Sequence, residues 1–66
     1  MELKNKLKEL RSLSGLSQKQ VAEYLNMSKT GYANWEQGLA EPNIENIKKL
    51  CKLFKVTADD LLGTNT

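Results

Sequence analysis

Apolar residues recur at helical spacing at both ends of the chain. Between residues 2 and 13, leucines at spacings of four, three and three predict a stripe that faces a core: Leu3, Leu7, Leu10 and Leu13. Gly15 then predicts the end of this first helix. Residues 44–54 predict a later helix with one continuous apolar face, made of Ile44, Ile47, Leu50, Cys51 and Phe54. Leu53 lies off that face by helical phase.

Two short helices separated by a tight turn are predicted in the middle of the chain, at residues 17–25 and 28–37. Ser17 and Gln20 have the S-x-x-Q spacing of a capping box, in which each side chain satisfies an unpaired backbone N–H. The apolar residues of the first of these helices share one face: Val21, Ala22 and Leu25. Asn26 tolerates the left-handed backbone conformation, so it can end this helix and turn the chain.

The second of the two middle helices begins after Ser28, a good N-cap, and ends at Gly38. Tyr32 and Trp35 lie three residues apart on one face. Stacking of single-stranded bases on these rings is one interpretation, and packing in the core is the other. Gly31 costs about 1 kcal/mol relative to Ala inside a helix. We therefore expect it to permit a close approach, either to a ligand backbone or to a neighbouring side chain.

A short last helix is predicted at residues 58–62, after a loop at 39–42 and the helix at 44–54. Asn43 and Thr57 are the predicted N-caps of the last two helices. Gly63 is expected to end the last helix and residues 64–66 to form a loose tail. The chain thus predicts an all-α domain of five helices covering residues 1–66.

Composition argues against several classes of protein. The chain has 66 residues, no His and one cysteine, Cys51. A structural zinc site is implausible without His, and the commonest general base is absent. We expect no enzyme activity, cofactor or metal, and a core role for Cys51. No apolar run approaches the about 20 residues of a membrane span. The sequence also lacks a signal-peptide pattern, so we expect a cytoplasmic protein.

The net charge is only +2, and its distribution is more informative than its size. Between residues 17 and 38 the charges cancel. Basic residues are concentrated in the first and fourth helices: Lys4, Lys6, Lys8, Arg11, Lys48, Lys49, Lys52 and Lys55. Surface lysines that keep a small domain soluble are an equally good interpretation of most of them.

The stretch from residue 17 to 38 resembles the phage repressor and Cro-type (XRE-like) helix-turn-helix family, and the resemblance extends over most of the chain. The residues that carry it are Gln18 at the opening, Ala22 as the small packing residue, Asn26 at the turn, Met27, Tyr32 and Trp35 at apolar positions, and Glu36 with Gly38 as the closing E-x-G. The resemblance implies a compact, five-helix, lambda-repressor-like DNA-binding domain in which Tyr32 and Trp35 face the core. The third helix would then lie in the major groove of double-stranded DNA.

This resemblance implies roles for individual residues. Base contacts are expected from the outward residues of the third helix: Ser28, Lys29, Thr30, Ala33 and Asn34. Phosphate contacts are expected from Gln18, Lys19 and Asn43, with the hydroxyl of Tyr32 as a further candidate. In the family, an arginine at the position of Arg11 pairs with the glutamate at the position of Glu36. An exposed Arg11 is the alternative.

The implied function is that of a sequence-specific transcriptional regulator, most simply a phage or bacterial repressor acting as a homodimer on an inverted-repeat operator. Dimer contacts are expected near the fourth and last helices: Ile44, Leu53, Val56, Thr57 and Leu61. A DNA-binding fragment of a longer repressor is a further interpretation of the chain. A protein-interaction module such as an antitoxin or anti-repressor is the alternative. Two departures from the family pattern are Asn26, where Gly is usual, and Glu41 in a loop that often carries Lys or Arg.

Overall fold

The computed structural model describes residues 3–62, which contain five α-helices joined by short turns and loops. They are α1 (Leu3–Ser14), α2 (Gln18–Tyr24), α3 (Lys29–Gln37), α4 (Ile44–Phe54) and α5 (Ala58–Leu62), and this range contains no strand. The predicted all-α fold of five helices is confirmed, and α4 and α5 have the predicted bounds. The expected helix start at residue 2, helix end at Gly63 and tail at 64–66 lie outside the described residues.

Side-chain caps begin four of the helices, as the sequence predicts. At α2 the capping box is complete, since Ser17 Oγ accepts from the Gln20 N–H at 3.1 Å and Gln20 Oε1 accepts from the Ser17 N–H at 2.8 Å. The caps of α3, α4 and α5 accept a backbone N–H three residues on: Ser28 from Gly31, Asn43 from Asn46 and Thr57 from Asp60. Each such cap is worth about 1 kcal/mol.

Left-handed backbone conformations end α1 and α3 and reverse the chain after α2 and α4. Asn26, with φ of 59°, adopts the predicted conformation in the turn between α2 and α3. Gly15 and Gly38 also have positive φ, as expected from their places after helices. Lys55 ends α4 with φ of 58°, and nothing in the sequence pattern predicts this.

One core lies between the helices. The helix α3 packs against α1 and α2, and α5 packs against α1 and α4. Within residues 3–62, none of the helices has the length and apolar character needed to cross a membrane. The buried apolar side chains come from all five helices and from Leu25 just after α2: Leu3, Leu7, Val21, Ala22, Leu25, Tyr32, Trp35, Leu50, Phe54 and Leu61.

Two apolar residues expected on the inward faces are exposed instead. Leu13 is 77% exposed and Ile44 is 73% exposed. Each step of three residues falls about 60° short of a full helical turn. Leu13 is two such steps away from the buried Leu7, and Ile44 is two such steps away from the buried Leu50. Both residues are therefore about 120° around the helix from the buried face. Leu53 differs from its prediction in the opposite direction. Helical phase predicts that it lies off the apolar face of α4, but it is half-buried and packs against the core.

A buried carboxylate joins α1, α2 and α3. Glu36 is 1% exposed, and its Oε2 accepts from Arg11 Nε at 2.7 Å while its Oε1 accepts from Arg11 Nη2 at 3.2 Å. Arg11 Nη1 also donates to the carbonyl of Leu16. A third donor comes from α2, where Gln18 Nε2 lies 2.9 Å from Glu36 Oε1. The pair between Arg11 and Glu36 is therefore present, and the alternative of an exposed, unpaired Arg11 is wrong.

The surroundings of this carboxylate determine its ionisation. Burial by itself raises the pKa of Glu36, but the hydrogen bonds from Arg11 and Gln18 outweigh that effect and hold the pKa below its ordinary value of 4.5. Nearby, the hydroxyl of Tyr32 is fully buried and has no hydrogen-bond partner among the described residues. Burial raises the pKa of this phenol, and the negative charge of Glu36 adds to the effect.

Arg11→Met is expected to lower the free energy of unfolding by about 3 kcal/mol, because it leaves a buried charge with one neutral donor. That is a large part of the about 3–10 kcal/mol typical of a chain of this size. Urea denaturation measures the change. Lys8→Met is the matched control, since it removes one charge from an exposed position of α1 and should change stability by about 0.5 kcal/mol or less. Equal losses in the two variants would contradict the role of the pair.

Stability should also depend on the ionisation of Glu36. Because its pKa is lower in the folded state, the ionised form contributes stability that is complete above the ordinary value of 4.5 and lost as pH falls through the folded pKa. Arg11→Met/Glu36→Met replaces both partners with apolar groups and lacks this titration. The stability of the wild type relative to this double variant should fall between about pH 5 and about pH 3. A constant difference over that interval would refute the assignment.

Candidate nucleic-acid interface

The helix α3 has one face held in the core and another in solvent. Tyr32, Trp35 and Glu36 are buried, with exposures of 0%, 7% and 1%. The two aromatic rings pack edge to face, with centroids 5.8 Å apart and an interplanar angle of 68°. Buried Ala22 supplies the small side chain of α2. The core interpretation of both aromatic residues is therefore correct, and stacking of single-stranded bases on them is excluded.

The residues predicted to contact bases lie on the outer side of α3. Ser28, Lys29 and Thr30 are exposed, whereas Ala33 and Asn34 are half-buried. The Ser28 hydroxyl caps the helix by accepting from the Gly31 N–H at 3.0 Å. The chemistry available here is a lysine ammonium, a hydroxyl and a carboxamide, which together can donate to and accept from base edges.

Gln37 belongs to the same surface and was not predicted. It is exposed and lies seven residues, about two helical turns, after Thr30. Its side-chain amide can pair with adenine in the same way as that of an asparagine. The signal that could have identified it is its helical phase, which matches Thr30 and Ala33.

Gly31 allows a close contact with a neighbouring side chain. A methyl group on its Cα would lie 3.0 Å from Met27 Cε and 3.2 Å from Ser28 Oγ, the atom that caps α3. Gly31 was expected to permit a close approach either to a ligand backbone or to a neighbouring side chain. The structure supports the approach to a neighbouring side chain.

The four predicted phosphate contacts have different environments. Lys19 and Asn43 are exposed, and Asn43 caps α4 through its Oδ1, which leaves its NH₂ group available. Gln18 is half-buried and uses one amide N–H on Glu36, which leaves one for another acceptor. Tyr32 is 0% exposed and its hydroxyl is buried, so the expected contact between this hydroxyl and a phosphate is wrong.

The electrostatic character of the surface is more positive than the sequence count indicates. Lys29 and Glu36 are the charged residues of α3. Glu36 is buried and paired with Arg11, so its charge is neutralised inside the protein, whereas Lys29 is exposed. The outer face of α3 therefore carries a positive charge without an opposing carboxylate from the same helix.

The residues expected at a dimer interface are not equally accessible. Ile44 and Thr57 are exposed, and Leu53 and Val56 are half-buried against the core. Leu61 is 0% exposed, so the expectation that it contacts a second copy is wrong. The helix α5 places Leu61 inside the domain because α5 packs against both α1 and α4.

Other kinds of site have little support in the described residues. Residues 3–62 contain no group of three or more His, Cys, Asp or Glu side chains placed to hold a metal ion. Cys51 is half-buried against the core, and burial raises the pKa of its thiol. A thiol in that state is a poor nucleophile, which fits a packing role.

Comparison with solved structures supports the fold. A transcriptional regulator from Listeria innocua superimposes with a TM-score of 0.90 at 31% sequence identity, over 94% of this chain and 58% of that one.

Relatives found by sequence are named as HTH-type transcriptional regulators or activators. The HTH-type transcriptional activator BcrR of Enterococcus faecalis is 45% identical over 63 residues, which are 96% of this chain and 31% of that protein. The HTH-type transcriptional regulator ImmR of Bacillus subtilis is 38% identical over 63 residues, which are 96% of this chain and 50% of that protein. The chain thus spans about a third to a half of these relatives.

A family model described as Helix-turn-helix matches residues 7–61, which include α2, α3 and α4, most of α1 and all but the last residue of α5. This match covers well over half of the chain and includes both α2 and α3. The protein therefore belongs to the helix-turn-helix family, and α2 and α3 are its helix-turn-helix pair.

Proposed function

We propose that this protein is a sequence-specific regulator of transcription that binds double-stranded DNA as a homodimer, with α3 in the major groove. The observation that carries this proposal is the division of α3 into two faces. Its buried face is fixed by Tyr32, Trp35 and Glu36, while its first turn presents Lys29 and Thr30 to solvent. A helix held in this way can enter a groove without unfolding or rearranging the domain.

The dimensions and polarity of α3 fit this role. Nine residues make a helix about 14 Å long, and the major groove is about 12 Å wide. Its capped N-terminus points backbone N–H groups and a partial positive charge outward, which favours a nearby phosphate. Membership of the helix-turn-helix family and relatives named as transcriptional regulators support the same proposal.

The small size of the outer face of α3 is the argument for a dimer. One helix supplies few base contacts, whereas two copies on an inverted repeat double them. Ile44, at the start of α4, is 73% exposed and is the apolar side chain that we propose for contact with a second copy. Regulation would then follow from occupancy of an operator in the cytoplasm, without a catalytic step. Repression is the simplest result, although one relative is named as an activator.

Substitutions on the outer face of α3 should weaken DNA binding without unfolding the domain. Asn34→Ala and Lys29→Ala are each expected to cost about 1–3 kcal/mol of discrimination and to relax base preference at one position of each half-site. Fluorescence anisotropy with the preferred duplex and single-base variants measures this. Lys52→Ala is the control, because it removes the same charge from an exposed position of α4. Equal losses for Lys29→Ala and Lys52→Ala would argue against a base contact by Lys29.

Selection of bound sequences from random duplexes tests the function as a whole. The expected consensus is an inverted repeat with half-sites about 10 base pairs apart, and inserting about 5 base pairs should abolish cooperative binding by turning one half-site to the opposite side of the helix. Affinity should also fall steeply with salt. Weak binding with no consensus and a shallow salt dependence would instead favour a protein-interaction module such as an antitoxin or anti-repressor.

A further inference from the structure

The hydrogen bond between Gln18 and Glu36 connects the proposed phosphate-binding end of α2 to the last turn of α3. Gln18 is the first residue of α2 and follows directly after the Ser17 cap. Its Nε2 lies 2.9 Å from Oε1 of Glu36, which is 18 residues further along the chain. Glu36 is 1% exposed and Gln18 is half-buried, so water competes little for the acceptor.

The carboxylate determines the orientation of the Gln18 amide. An ionised carboxylate only accepts hydrogen bonds, so Gln18 must turn its NH₂ group toward Glu36. Glu36 remains ionised because Arg11 donates to both of its oxygens. The other N–H of the Gln18 amide is then available for the phosphate contact of the proposed function.

The third donor is not needed to neutralise the charge. Arg11 already contacts Oε1 and Oε2 of Glu36 and balances its charge. The bond to Gln18 therefore does something further, which is to hold a surface side chain in one orientation before any ligand arrives. A glutamine has several rotatable bonds, and immobilising it during binding would reduce affinity.

We propose that Glu36 is a positioning residue for DNA binding, which acts through Gln18 by holding its amide ready for a phosphate oxygen. The inference rests on the proposed function. Preorganisation of one such side chain corresponds to about a 3- to 10-fold gain in affinity for each half-site. Glu36 itself does not touch the DNA in this mechanism, since it is buried.

A double-mutant cycle tests the coupling. Arg11→Met/Glu36→Met removes the acceptor of Gln18, leaves the net charge unchanged and replaces a buried pair by apolar groups, which is often neutral or stabilising. Combined with Gln18→Ala, it gives four proteins whose affinity for the selected duplex is measured by fluorescence anisotropy. Circular dichroism at the same temperature confirms that each variant is folded.

The expected result is non-additive. The Arg11→Met/Glu36→Met change should weaken binding about 3- to 10-fold per half-site when Gln18 is present and less than about twofold in the Gln18→Ala background. The matched control repeats the cycle with Lys19→Ala, because Lys19 is exposed and makes no bond to Glu36. That control cycle should be additive. Equal losses in the presence and absence of Gln18, or no loss at all, would overturn the inference.

A second measurement needs only the wild type. In NMR spectra of the free protein, one side-chain amide proton of Gln18 should exchange with solvent more slowly than those of Gln37, which is exposed. Adding the selected duplex should shift the other amide proton of Gln18. Exchange at the same rate for both glutamines would overturn the inference. If the wild type prefers no duplex sequence, the proposed function is overturned. If the wild type binds a preferred duplex but the mutant cycle is additive, only the inference about Glu36 is overturned.

Discussion

The buried negative charge of Glu36 is the constraint on which the arrangement of the first three helices depends. A carboxylate that is 1% exposed must have donors, and here they come from α1 and α2 while the acceptor belongs to α3. A packing that keeps Glu36 buried but moves Arg11 and Gln18 away leaves the charge without a partner in a medium of low polarity. The hydrophobic core supplies most of the driving force for folding, whereas this contact joins three helices through one carboxylate.

The same contact changes the electrostatics of the surface. A count of charges between residues 17 and 38 gives zero, yet one of the negative charges is enclosed and balanced by Arg11 from outside that stretch. Lys29 is therefore exposed to solvent and to any nearby polyanion, whereas the charge of Glu36 is not. Burial of a single acid thus leaves two lysines, Lys19 and Lys29, and one glutamate, Glu23, as the exposed charges of a formally neutral helix-turn-helix pair.

Local features were readily predicted from the sequence, because short-range chemistry determines them. The caps at Ser17, Ser28, Asn43 and Thr57 and the turn at Asn26 depend on residues within a few positions of each other. The core side of α3, with Tyr32 and Trp35, was also predicted correctly, whereas on its outer side Asn34 is half-buried and Gln37 was missed.

The errors arose where distant parts of the chain meet or where a spacing is ambiguous. Leu13 and Ile44 satisfied a loose helical spacing but rotated off the buried face. Burial of Leu61 and of the Tyr32 hydroxyl depends on how α5 and α3 pack, which composition does not reveal. The bond between Gln18 and Glu36 joins residues 18 positions apart and has no local signature.

The separation of α3 into a fixed side and a free side has an evolutionary consequence. Among the outer residues, Lys29, Thr30 and Gln37 are exposed and contribute nothing to the hydrophobic core. Their identities can therefore change with little penalty in folding, provided that Tyr32, Trp35 and Glu36 are kept. Under the proposed function, descendants of one ancestral scaffold can in this way diverge toward different DNA sequences through a few surface substitutions, each step leaving a protein that still folds.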